Sequence, residues 1–560
     1  MKTQRLFAGG RGFAGVNHPL LQMLKPTDLH PFAGMDVPWL LEARANPQNR
    51  RRDHPFLIWV PFTGVGQVWT YGQFLARVQR IAGGLAQRGV RPGEKVLIHL
   101  DNCPEALLAW YACAWMGAVA LTTNARAVAD ELTYYAEHSD AVAAITQPKF
   151  AELVAKSCKS LRWIAVTGDD NGEAPAHPVE PAQHFDAIDA EPVPRRAPDP
   201  LAPCSVQYTS GTTSRPKAVL WTHANALWGA RTNAAHEELR ASDVHLVYLP
   251  LFHTNAQAYS ILATLWAGGT AVVQPRFSAS RFWDVSNQHR CTWTSLVPFV
   301  VKALLPLELP KTHHYRLWGS AISEPHSDAH FGIKTMGWWG MTETITHGIV
   351  GHPHLPNTPL SIGRPAPEYE IAVVERDDLS VREARAVEPG GSGHLFIRGI
   401  RGLSLFQEYL GNAQATADSF DEDGWFKTGD MINVLPCGSL QFGDRHKDML
   451  KVGGENVAAS EIERVVLQVP GVFECAVVAK KHPMLDEVPV LFVRPFEEFT
   501  HALDSAQNRE LKERVAAACA AQLADFKRPV EIRLIEDFPR STLEKIAKAQ
   551  LREMLERPVA

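Results

Sequence analysis

The sequence predicts an α/β fold, with a large N-terminal domain of mixed α/β subdomains and a small C-terminal α+β domain. Three observations lead to this prediction. Residues 70–165 alternate between helix-like and strand-like segments, which is typical of βαβ units and a largely parallel sheet. The chain has 560 residues, more than a single compact core usually accommodates. A short charged stretch, punctuated by glycine, divides residues 1–444 from residues 445–560.

Periodicity defines the elements of the N-terminal part. Tyr71 to Arg88 has the apolar spacing of a helix. Ala106 to Trp115 is also helical, and it lies between two short buried strands, Lys95 to Leu100 and Ala118 to Thr122. Residues 169–203 are rich in Pro, Ala, Asp and Glu without a sustained pattern, so we expect a long surface loop there.

After that loop, α/β alternation resumes at Cys204 and gives way to β-rich stretches, Tyr369 to Val374 and His394 to Arg398. In the C-terminal part, Ser460 to Gln468 is predicted to be a helix whose capping box joins Ser460 to Glu463. A strand from Glu474 to Ala479 and a helix from Arg509 to Leu523 follow. This small domain is predicted to be α+β.

Composition excludes several classes of protein. The net charge of −5 and the lack of a dense Lys/Arg block argue against nucleic acid as the main partner. Eight scattered cysteines without a CxxC pair fit reduced thiols, and residues 1–10 lack the apolar core of a signal peptide. The longest apolar run, Ala106 to Leu121, is too short to span a bilayer. We therefore expect a cytoplasmic protein without a membrane span. A homodimer is the oligomeric state that we consider for it.

The most informative segment follows a strand-like stretch and reads Tyr208-Thr-Ser-Gly-Thr-Thr-Ser-Arg-Pro-Lys-Ala-Val219. Hydroxyl and backbone N–H donors beside a cation suit a polyphosphate, and Gly211 allows the backbone to turn closely around an oxyanion. The segment is not a Walker A loop, because Pro216 precedes Lys217 and no second glycine is present. By itself it is equally compatible with a Ser/Thr-rich surface turn.

Further segments combine glycine with groups suited to chemistry: Leu249-Pro-Leu-Phe-His253, Gly319-Ser-Ala-Ile322, Gly337-Trp-Trp-Gly-Met-Thr-Glu-Thr344, Gly424-Trp-Phe-Lys-Thr-Gly-Asp430 and Gly443-Asp-Arg-His-Lys-Asp448. Each has a structural alternative. Taken alone, His253 fits a packed core histidine, Glu343 a helix-start acid and Asp430 a turn former. His352 and His354 lack a third ligand nearby, which argues against a metal site.

The order of these motifs, ending in Pro539-Arg-Ser-Thr-Leu-Glu-Lys-Ile546, resembles the acyl-adenylate-forming (AMP-binding) superfamily. That group comprises acyl-CoA synthetases, peptide-synthetase adenylation domains and luciferases. The resemblance covers about residues 35 to 555. Leu100-Asp-Asn-Cys-Pro-Glu105 and the segments around Lys217 and Glu343 look most like the crotonobetaine/carnitine-CoA ligase branch.

The resemblance implies an ATP-dependent, AMP-forming acid–thiol ligase. A carboxylic acid attacks ATP and releases pyrophosphate, and the acyl group then passes from AMP to the thiol of coenzyme A. Because one anion attacks another in the first step, catalysis should consist of positioning and charge neutralisation. ATP, Mg²⁺ and coenzyme A are the implied cofactor and co-substrates, and a small-molecule carboxylic acid is the remaining partner.

The resemblance also implies a set of nucleotide-binding residues: Thr209, Ser210, Gly211, Thr212, Thr213, Lys217, Gly319, Ser320, Ala321, Trp339, Gly340, Met341, Thr342, Glu343, Asp430 and Arg445. Within this set, Lys217 assists the phosphates, and Glu343 with Thr209 holds the metal through oxygen ligands. Trp339 lies against adenine, and Asp430 accepts both ribose hydroxyls.

The C-terminal domain is implied to be mobile. Lys545 would bridge the acid and the α-phosphate in the first step, which requires this domain to close over the site. Lys447 matches the hinge, Arg445 would reach the ribose or phosphate, and Gly453 and Gly454 match the coenzyme A tunnel. His253 is the second implied catalytic residue and lies between the acyl pocket and that tunnel.

Three positions depart from the usual pattern: Ala218, His394 and Glu544. Glu544 matters most, because a carboxylate beside Lys545 would partly neutralise that lysine. A non-catalytic nucleotide binder therefore remains an alternative, as does an adenylation enzyme that loads a separate carrier protein. Luciferase-type oxidation has no independent support.

The identity of the acid is not determined by the sequence. The pocket is expected from the residues after His253, from Leu296 to Val301 and from Ala321 to Ile349. These stretches place polar residues among apolar ones: Asn255, Gln257, Trp338, Thr346 and His347. Such a lining favours a bulky or partly polar acid, whether carnitine-like, aromatic, or alicyclic or steroid-derived. The sequence shows no obvious buried acid for a quaternary ammonium, which argues against the carnitine-like class.

Overall fold

The computed structural model describes residues 30–177, 179–209, 216–445, 449–452, 455–496, 506–540 and 546–556. Within these ranges the chain forms four β-sheets with helices packed against them. The predicted α/β architecture is confirmed. No helix in the described ranges is both long and apolar enough to cross a membrane.

The first sheet is parallel at its centre and antiparallel at both edges. Its strands, in order across the sheet, are Arg364–Pro365, Ile349–Val350, Thr335–Trp339, Leu317–Ser320, Trp293–Ser295, Val244–Val247, Thr270–Val273, Pro55–Trp59 and Gln67–Thr70. The central strands are buried on both faces, as expected for parallel strands covered by helices.

The second sheet is also parallel at its centre, and its antiparallel edge carries the two strands that flank the phosphate-loop segment. Its strands, in order, are Glu408–Tyr409, Lys217–Thr222, Pro203–Thr209, Val119–Thr122, Lys95–His99, Ala141–Thr146 and Trp163–Val166.

The third and fourth sheets are smaller. The third is antiparallel and comprises Glu370–Val374, Ser392–Arg398, Trp425–Val434 and Leu440–Arg445. The fourth comprises Glu455–Ala458, Met449–Val452, Asp486–Pro495, Val472–His482 and Glu531–Leu534. The division predicted between residues 444 and 445 lies near the passage from the third sheet to the fourth, and it stays a prediction.

The α-helices cover the faces of these sheets. Their bounds are Val37–Ala45, Tyr71–Gln87, Pro104–Met116, Ala129–Ser139, Pro148–Ser157, His223–His236, Ala263–Ala267, Ala279–Gln288, Pro298–Leu304, Pro325–Phe331, Ala413–Asp418, Ala459–Val466, Ala506–Gln522 and Lys548–Glu556. A π-helical segment, Asn255–Leu262, directly precedes one of them. Such segments are rare and often mark functional sites.

Four clusters of buried apolar side chains form the cores of the part that the structure describes, and the two largest are separate. A large apolar cluster joins the first three sheets and includes Trp110, Trp221 and Trp318, each almost fully buried. The fourth sheet has its own cluster, which extends from Leu450 to Leu523 in sequence. Because the C-terminal residues bury a core of their own, they pack as a compact unit.

The predicted capping box at Ser460 is wrong. The helix Ala459–Val466 starts one residue earlier, its N-cap position is Ala458, and no side chain caps it. Ser460 instead donates a hydrogen bond from Oγ to the carbonyl oxygen of Gly443, and Glu463 Oε1 accepts from the backbone N–H of Val477 at 2.7 Å. Tertiary partners therefore replaced the local pair that the sequence suggested.

The long loop at 169–203 is largely irregular, as predicted, with short 3₁₀ turns at Pro181–Gln183 and Phe185–Ile188. It packs against the helix Tyr71–Gln87 because that helix carries two glycines at the contact. A Cβ atom on Gly84 would lie 1.3 Å from the carbonyl oxygen of Ile188, and one on Gly83 would lie 2.0 Å from that of Glu191.

Gly84→Ala should therefore lower the free energy of unfolding by about 2 kcal/mol or more, because the new methyl group overlaps backbone atoms. Gln87→Ala, at an exposed position of the same helix, should change it by less than about 0.5 kcal/mol. Thermal unfolding at one fixed scan rate compares the two variants. Equal melting temperatures for both would contradict the close approach of the loop.

Candidate active site

The predicted site residues gather at the carboxyl ends of the parallel strands. In the first sheet, Leu317–Ser320 and Thr335–Trp339 are neighbours, with Ser320 opposite Gly337 in register. The stretch Gly319–Ala321 therefore lies beside the segment 339–343 that follows the next strand. Ligands of open α/β sheets bind at this edge, where the strands end.

Trp338 and Trp339 point to opposite faces of their strand, as alternate residues do. The ring of Trp338 covers Gly319, since a Cβ atom there would lie 1.7 Å from its Cη2 atom. Trp339 instead donates a hydrogen bond from Nε1 to Asp430 Oδ2 at 2.8 Å, and both residues are buried. The structure thus joins two residues that the sequence assigned to adenine and ribose separately.

Asp430 is positioned by the third sheet. It lies in the strand Trp425–Val434, and its backbone N–H donates to Thr428 Oγ1 at 3.1 Å. Arg445 is its register partner on the neighbouring strand, so their backbones lie side by side. The side chain of Arg445 lies outside the part that the structure describes.

Glu343 is held by the second sheet through Tyr409, a residue that the sequence analysis missed. The Tyr409 hydroxyl donates to Glu343 Oε1 at 2.9 Å, and the backbone N–H of Phe406 donates to the Glu343 carbonyl oxygen at 2.8 Å. Lys217 Nζ lies 4.5 Å from the centroid of the Tyr409 ring. A carboxylate, a phenol and an ammonium therefore form one cluster beside the phosphate-loop strands.

Burial raises the pKa of Tyr409, and the charge of Glu343 raises it further. Tyr409 is therefore a neutral phenol that donates a hydrogen bond to the carboxylate. The sequence carried only a weak signal for this residue, an aromatic side chain in a short segment. The structure shows that Tyr409 pairs with Val219, on the strand that begins with Lys217.

Hydroxyl groups connect the remaining predicted residues. Thr254 Oγ1 donates to Gln207 Oε1 at 2.9 Å and lies within hydrogen-bond distance, 3.2 Å, of Thr342 Oγ1. Thr209 Oγ1 donates to the Lys217 carbonyl oxygen at 3.4 Å. His253 precedes Thr254 at the start of the π-helical segment, and its ring packs on that of Phe252 with centroids 4.6 Å apart. The histidine thus lies one residue from a hydroxyl bonded to the Glu343 loop.

The segment 340–347 is compact and strained. A Cβ atom on Gly340 would lie 2.4 Å from the Tyr259 hydroxyl oxygen, so this position requires glycine. Ile345 has φ 63°, which is costly for a β-branched residue. Thr344 stabilises the turn, because Met341 N–H donates to Thr344 Oγ1 at 3.0 Å and Tyr369 donates its hydroxyl to the Thr344 carbonyl oxygen at 2.8 Å.

The predicted acyl-pocket residues also come together. The rings of Trp338 and His347 stack with centroids 4.2 Å apart, and Tyr259 meets His347 edge-on at 4.3 Å. Thr346 donates its hydroxyl to Asn233 Oδ1. The sequence had indicated Trp338, Thr346 and His347 but not Tyr259 or Asn233. All five side chains are buried, so these residues form a densely packed wall with several polar atoms.

The C-terminal unit contacts the N-terminal part at the helix Pro298–Leu304, which follows a central strand of the first sheet. Lys302 Nζ donates to the Phe473 carbonyl oxygen at 3.1 Å, and burial lowers the pKa of this lysine. The Arg540 guanidinium lies 5.9 Å from the centroid of the Phe299 ring. Glu474 Oε1 accepts from Arg540 Nη1 at 3.0 Å and fixes that side chain.

Several predicted site residues lie outside the described residues: Ser210, Gly211, Thr212, Thr213, Lys447, Gly453, Gly454 and Lys545. Their flanks are described. Thr209 and Lys217 are register partners on antiparallel strands, which bounds the phosphate-loop segment. Arg540 and Ile546 form an isolated bridge on either side of the segment 541–545.

Comparison with known proteins agrees with this arrangement. A family model described as "AMP-binding enzyme" matches residues 42–410, and one described as "AMP-binding enzyme C-terminal domain" matches residues 461–545. The crotonobetaine/carnitine–CoA ligase of Escherichia coli is 31% identical over 506 residues, which cover 87% of this chain and 94% of that protein.

Solved structures share the fold. O-succinylbenzoate coenzyme A synthetase (MenE) from Bacillus subtilis in complex with AMP has a TM-score of 0.77 at 25% identity, covering 94% of this chain and 99% of that one. ATP-bound MatB from Rhodopseudomonas palustris has a TM-score of 0.80 at 24% identity, covering 93% and 99%. The family model, the relative and the fold agree, and the chain belongs to the AMP-binding enzyme family.

Proposed function

We propose that this protein activates a bulky or partly polar organic acid as an acyl-adenylate and transfers the acyl group to coenzyme A. The main support is a cluster of Glu343, Tyr409 and Lys217 on one side of the strand ends. Asp430 and Trp339, joined by a hydrogen bond, lie on the other side. The protein is an AMP-forming acyl-CoA synthetase, which uses ATP, Mg²⁺ and coenzyme A.

The reaction proceeds in two displacements. A carboxylate oxygen of the acid forms a bond to the α-phosphorus of ATP, and pyrophosphate leaves. The sulfur of coenzyme A then forms a bond to the acyl carbon and loses its proton, and AMP leaves. Because both steps concentrate negative charge on phosphate oxygens, the protein contributes fixed cations and hydrogen-bond donors rather than a single strong base.

The nucleoside end is held by Asp430. Its carboxylate offers two oxygens, and the Trp339 indole N–H occupies one lone pair of Oδ2, which leaves other lone pairs for the vicinal hydroxyls of ribose. The hydrogen bond also fixes the rotation of the Trp339 ring, so that a flat aromatic surface is available to adenine. Gly319, Ser320 and Ala321 line the neighbouring strand end, and Arg445 would reach the ribose or phosphate.

The phosphate end is held by the loop from Thr209 to Thr213, assisted by Lys217. The donor set beside it suits Mg²⁺, because a buried carboxylate from Glu343 and a hydroxyl from Thr209 are hard oxygen ligands. When bound, Mg²⁺ neutralises phosphate charge. Tyr409 orients the Glu343 carboxylate, and its ring face stabilises the Lys217 ammonium.

The C-terminal residues supply the remaining groups. Lys545 bridges the acid and the α-phosphate, Lys447 is the hinge, and Gly453 and Gly454 leave room for the pantetheine chain. The contacts of Arg540 with Phe299 support this assignment, since they hold the residues before the segment 541–545 against the helix that follows a central strand. His253 lies between the acyl pocket and that tunnel.

The acid is accommodated by the wall of Trp338, His347, Tyr259 and Thr346. One buried amide nitrogen there, Asn233 Nδ2, lacks a hydrogen-bond partner among the residues described. Buried donors of this kind are costly unless satisfied, which supports an acid with polar groups over a plain alkyl chain.

We also propose a cytoplasmic location and a homodimeric assembly. All eight cysteines are free thiols in the structure, and seven of them are buried, which fits a reducing compartment. Light scattering at several protein concentrations measures the assembly, and a constant monomer mass would contradict the dimer.

Lys545→Ala should lower the rate of acid-dependent pyrophosphate release by roughly 10³-fold, because it removes the cation at the α-phosphate. The same variant should form thioester from supplied acyl-adenylate and coenzyme A at nearly the wild-type rate. Pyrophosphate release is screened over carnitine-like, aromatic and alicyclic acids, and thioester is measured by chromatography. Equal loss of both steps would contradict the assigned role, and activity restricted to medium-chain fatty acids would contradict the polar pocket.

The acceptor is tested with the same wild-type enzyme. Thioester should form with coenzyme A and not with a phosphopantetheinylated carrier protein. A faster reaction with the carrier would identify a carrier-loading enzyme, and ATP binding without pyrophosphate exchange for any acid would identify a non-catalytic nucleotide binder.

Tyr409→Phe should raise the KM for ATP by roughly 10-fold, because it removes a hydrogen bond to a carboxylate but keeps the ring beside Lys217. Tyr315→Phe is the matched control: it removes another buried hydroxyl, which bonds to Ser286 at 2.7 Å away from the site, and should leave that KM unchanged. The measurement is pyrophosphate release at varied ATP concentration. Unchanged KM values for both variants would contradict the role of Tyr409.

A further inference from the structure

Glu237 is a buried acid that the proposed mechanism does not use. It directly follows the helix His223–His236 and is fully buried. Neither carboxyl oxygen has a hydrogen-bond partner within the described part of the chain. An acid in such a place is energetically costly, so it needs a partner that the protein itself does not provide.

The position of Glu237 follows from the helix that precedes it. Gly229, Asn233 and Glu237 recur every four residues and therefore share one face. A Cβ atom on Gly229 would lie 2.8 Å from Ile345 Cγ2, and Asn233 accepts a hydrogen bond from Thr346. This face thus packs against the segment that forms the acyl-pocket wall.

Arg316 and Asp243 define where Glu237 lies in the fold. Arg316 donates to the Glu237 carbonyl oxygen at 3.0 Å and directly precedes the strand Leu317–Ser320, and its ion-pair partner Asp243 directly precedes the strand Val244–Val247. Glu237 therefore lies toward the amino ends of these parallel strands, whereas the proposed nucleotide site lies at their carboxyl ends.

Aromatic surfaces surround this end of the wall. Tyr259 and Trp338 meet at a centroid distance of 5.8 Å, and Trp293 lies 6.1 Å from Trp338. His236, the residue before Glu237, stacks on His347 at 5.6 Å. The charge of Glu237, together with burial, raises the pKa of Tyr259, so the carboxyl and the phenol are electrostatic neighbours.

The nearby cation is already neutralised. Arg316 donates from Nε to Asp243 Oδ1 at 3.1 Å and from Nη2 to Asp243 Oδ2 at 2.9 Å. It reaches Glu237 only at the backbone, where Nη2 donates to the carbonyl oxygen at 3.0 Å. Burial raises the pKa of Glu237 well above its usual range, Asp243 raises it further, and Arg316 opposes the shift. An ionised Glu237 would leave this region with one uncompensated negative charge.

We propose that Glu237 determines specificity for the acid, and that it pairs with a positively charged nitrogen at the end of the acid remote from its carboxylate. The inference rests on the proposed function, because it assumes that the acid lies against the wall of Trp338, His347 and Tyr259. The ring faces of Trp338 and Tyr259 add cation–π attraction. This attraction also stabilises an alkylated ammonium group, which has no N–H donors for a hydrogen bond. Glu237 is a buried acid that the sequence did not make obvious.

Two pairs of acids of matched shape test the proposal. One pair is 4-(trimethylammonio)butanoate and 5,5-dimethylhexanoate, and the other is 4-aminobutanoate and pentanoate; each pair differs mainly in charge. Pyrophosphate release gives kcat/KM for each acid with the wild-type protein. We expect one cationic acid to exceed its neutral partner by at least roughly 10-fold.

Glu237→Gln, which keeps the size of the side chain and removes its charge, should lower kcat/KM for the preferred cationic acid on the order of 100-fold. It should leave kcat/KM for the neutral partner and the KM for ATP unchanged, which excludes a general loss of structure. Glu238→Gln, which removes the charge of the adjacent and more exposed acid, is the matched control and should not change the preference for the cation.

Other outcomes separate this inference from the proposed function. Two results would overturn the role of Glu237 and leave the ligase reaction intact. One is a wild-type protein that prefers the neutral acids. The other is a Glu237→Gln variant whose kcat/KM falls equally for both members of a pair. Activity only with uncharged aromatic or alicyclic acids would do the same. Absence of pyrophosphate release with every acid would instead overturn the proposed function.

Discussion

The candidate site depends on the attachment of one loop to two sheets. The segment 340–347 leaves a central strand of the first sheet, yet its hydrogen bonds go to elements around the second. Tyr409 donates to the Glu343 side chain, Phe406 donates to the Glu343 carbonyl oxygen, and Trp221 Nε1 donates to the Thr342 carbonyl oxygen at 2.9 Å. These bonds fix Glu343, the proposed metal ligand, relative to the strands that flank the phosphate-loop segment, since Tyr409 and Trp221 both lie in the sheet that contains those strands.

This attachment also explains why strain is tolerated at Ile345. A β-branched residue with positive φ persists only where its surroundings over-determine the backbone. Here Gly229 packs closely against it, and Thr344 is bonded on both sides of the turn. The same turn directs Thr346 and His347 toward the helix that ends before Glu237. One constrained loop therefore positions Glu343, the proposed metal ligand, and the residues of the proposed acyl-pocket wall.

Much of this arrangement could be predicted from the sequence, because the ordered motifs indicate a known nucleotide chemistry. Glu343 follows a strand of the first sheet, and Asp430 lies within a strand of the third. The partners of these acids could not be predicted. Tyr409 and Trp339 reach them across sheets, and contacts of that kind depend on tertiary packing rather than on local spacing. Ser460 shows the opposite error, since a valid local capping pattern lost to a distant carbonyl group.

Glu237 could not be identified for a related reason. In the sequence it is the first of two adjacent acids after a helix, where acids are usually solvated, and Glu238 is indeed more exposed. Arg316 holds this helix end against the sheet, because it donates hydrogen bonds to Asp243 and to the carbonyl oxygens of Glu237 and Glu238. The arginine thus stabilises the helix end without neutralising Glu237. Without substrate, the raised pKa keeps this carboxyl protonated and neutral. In the proposed complex the substrate brings the opposite charge, and the carboxylate form is then stabilised by that partner.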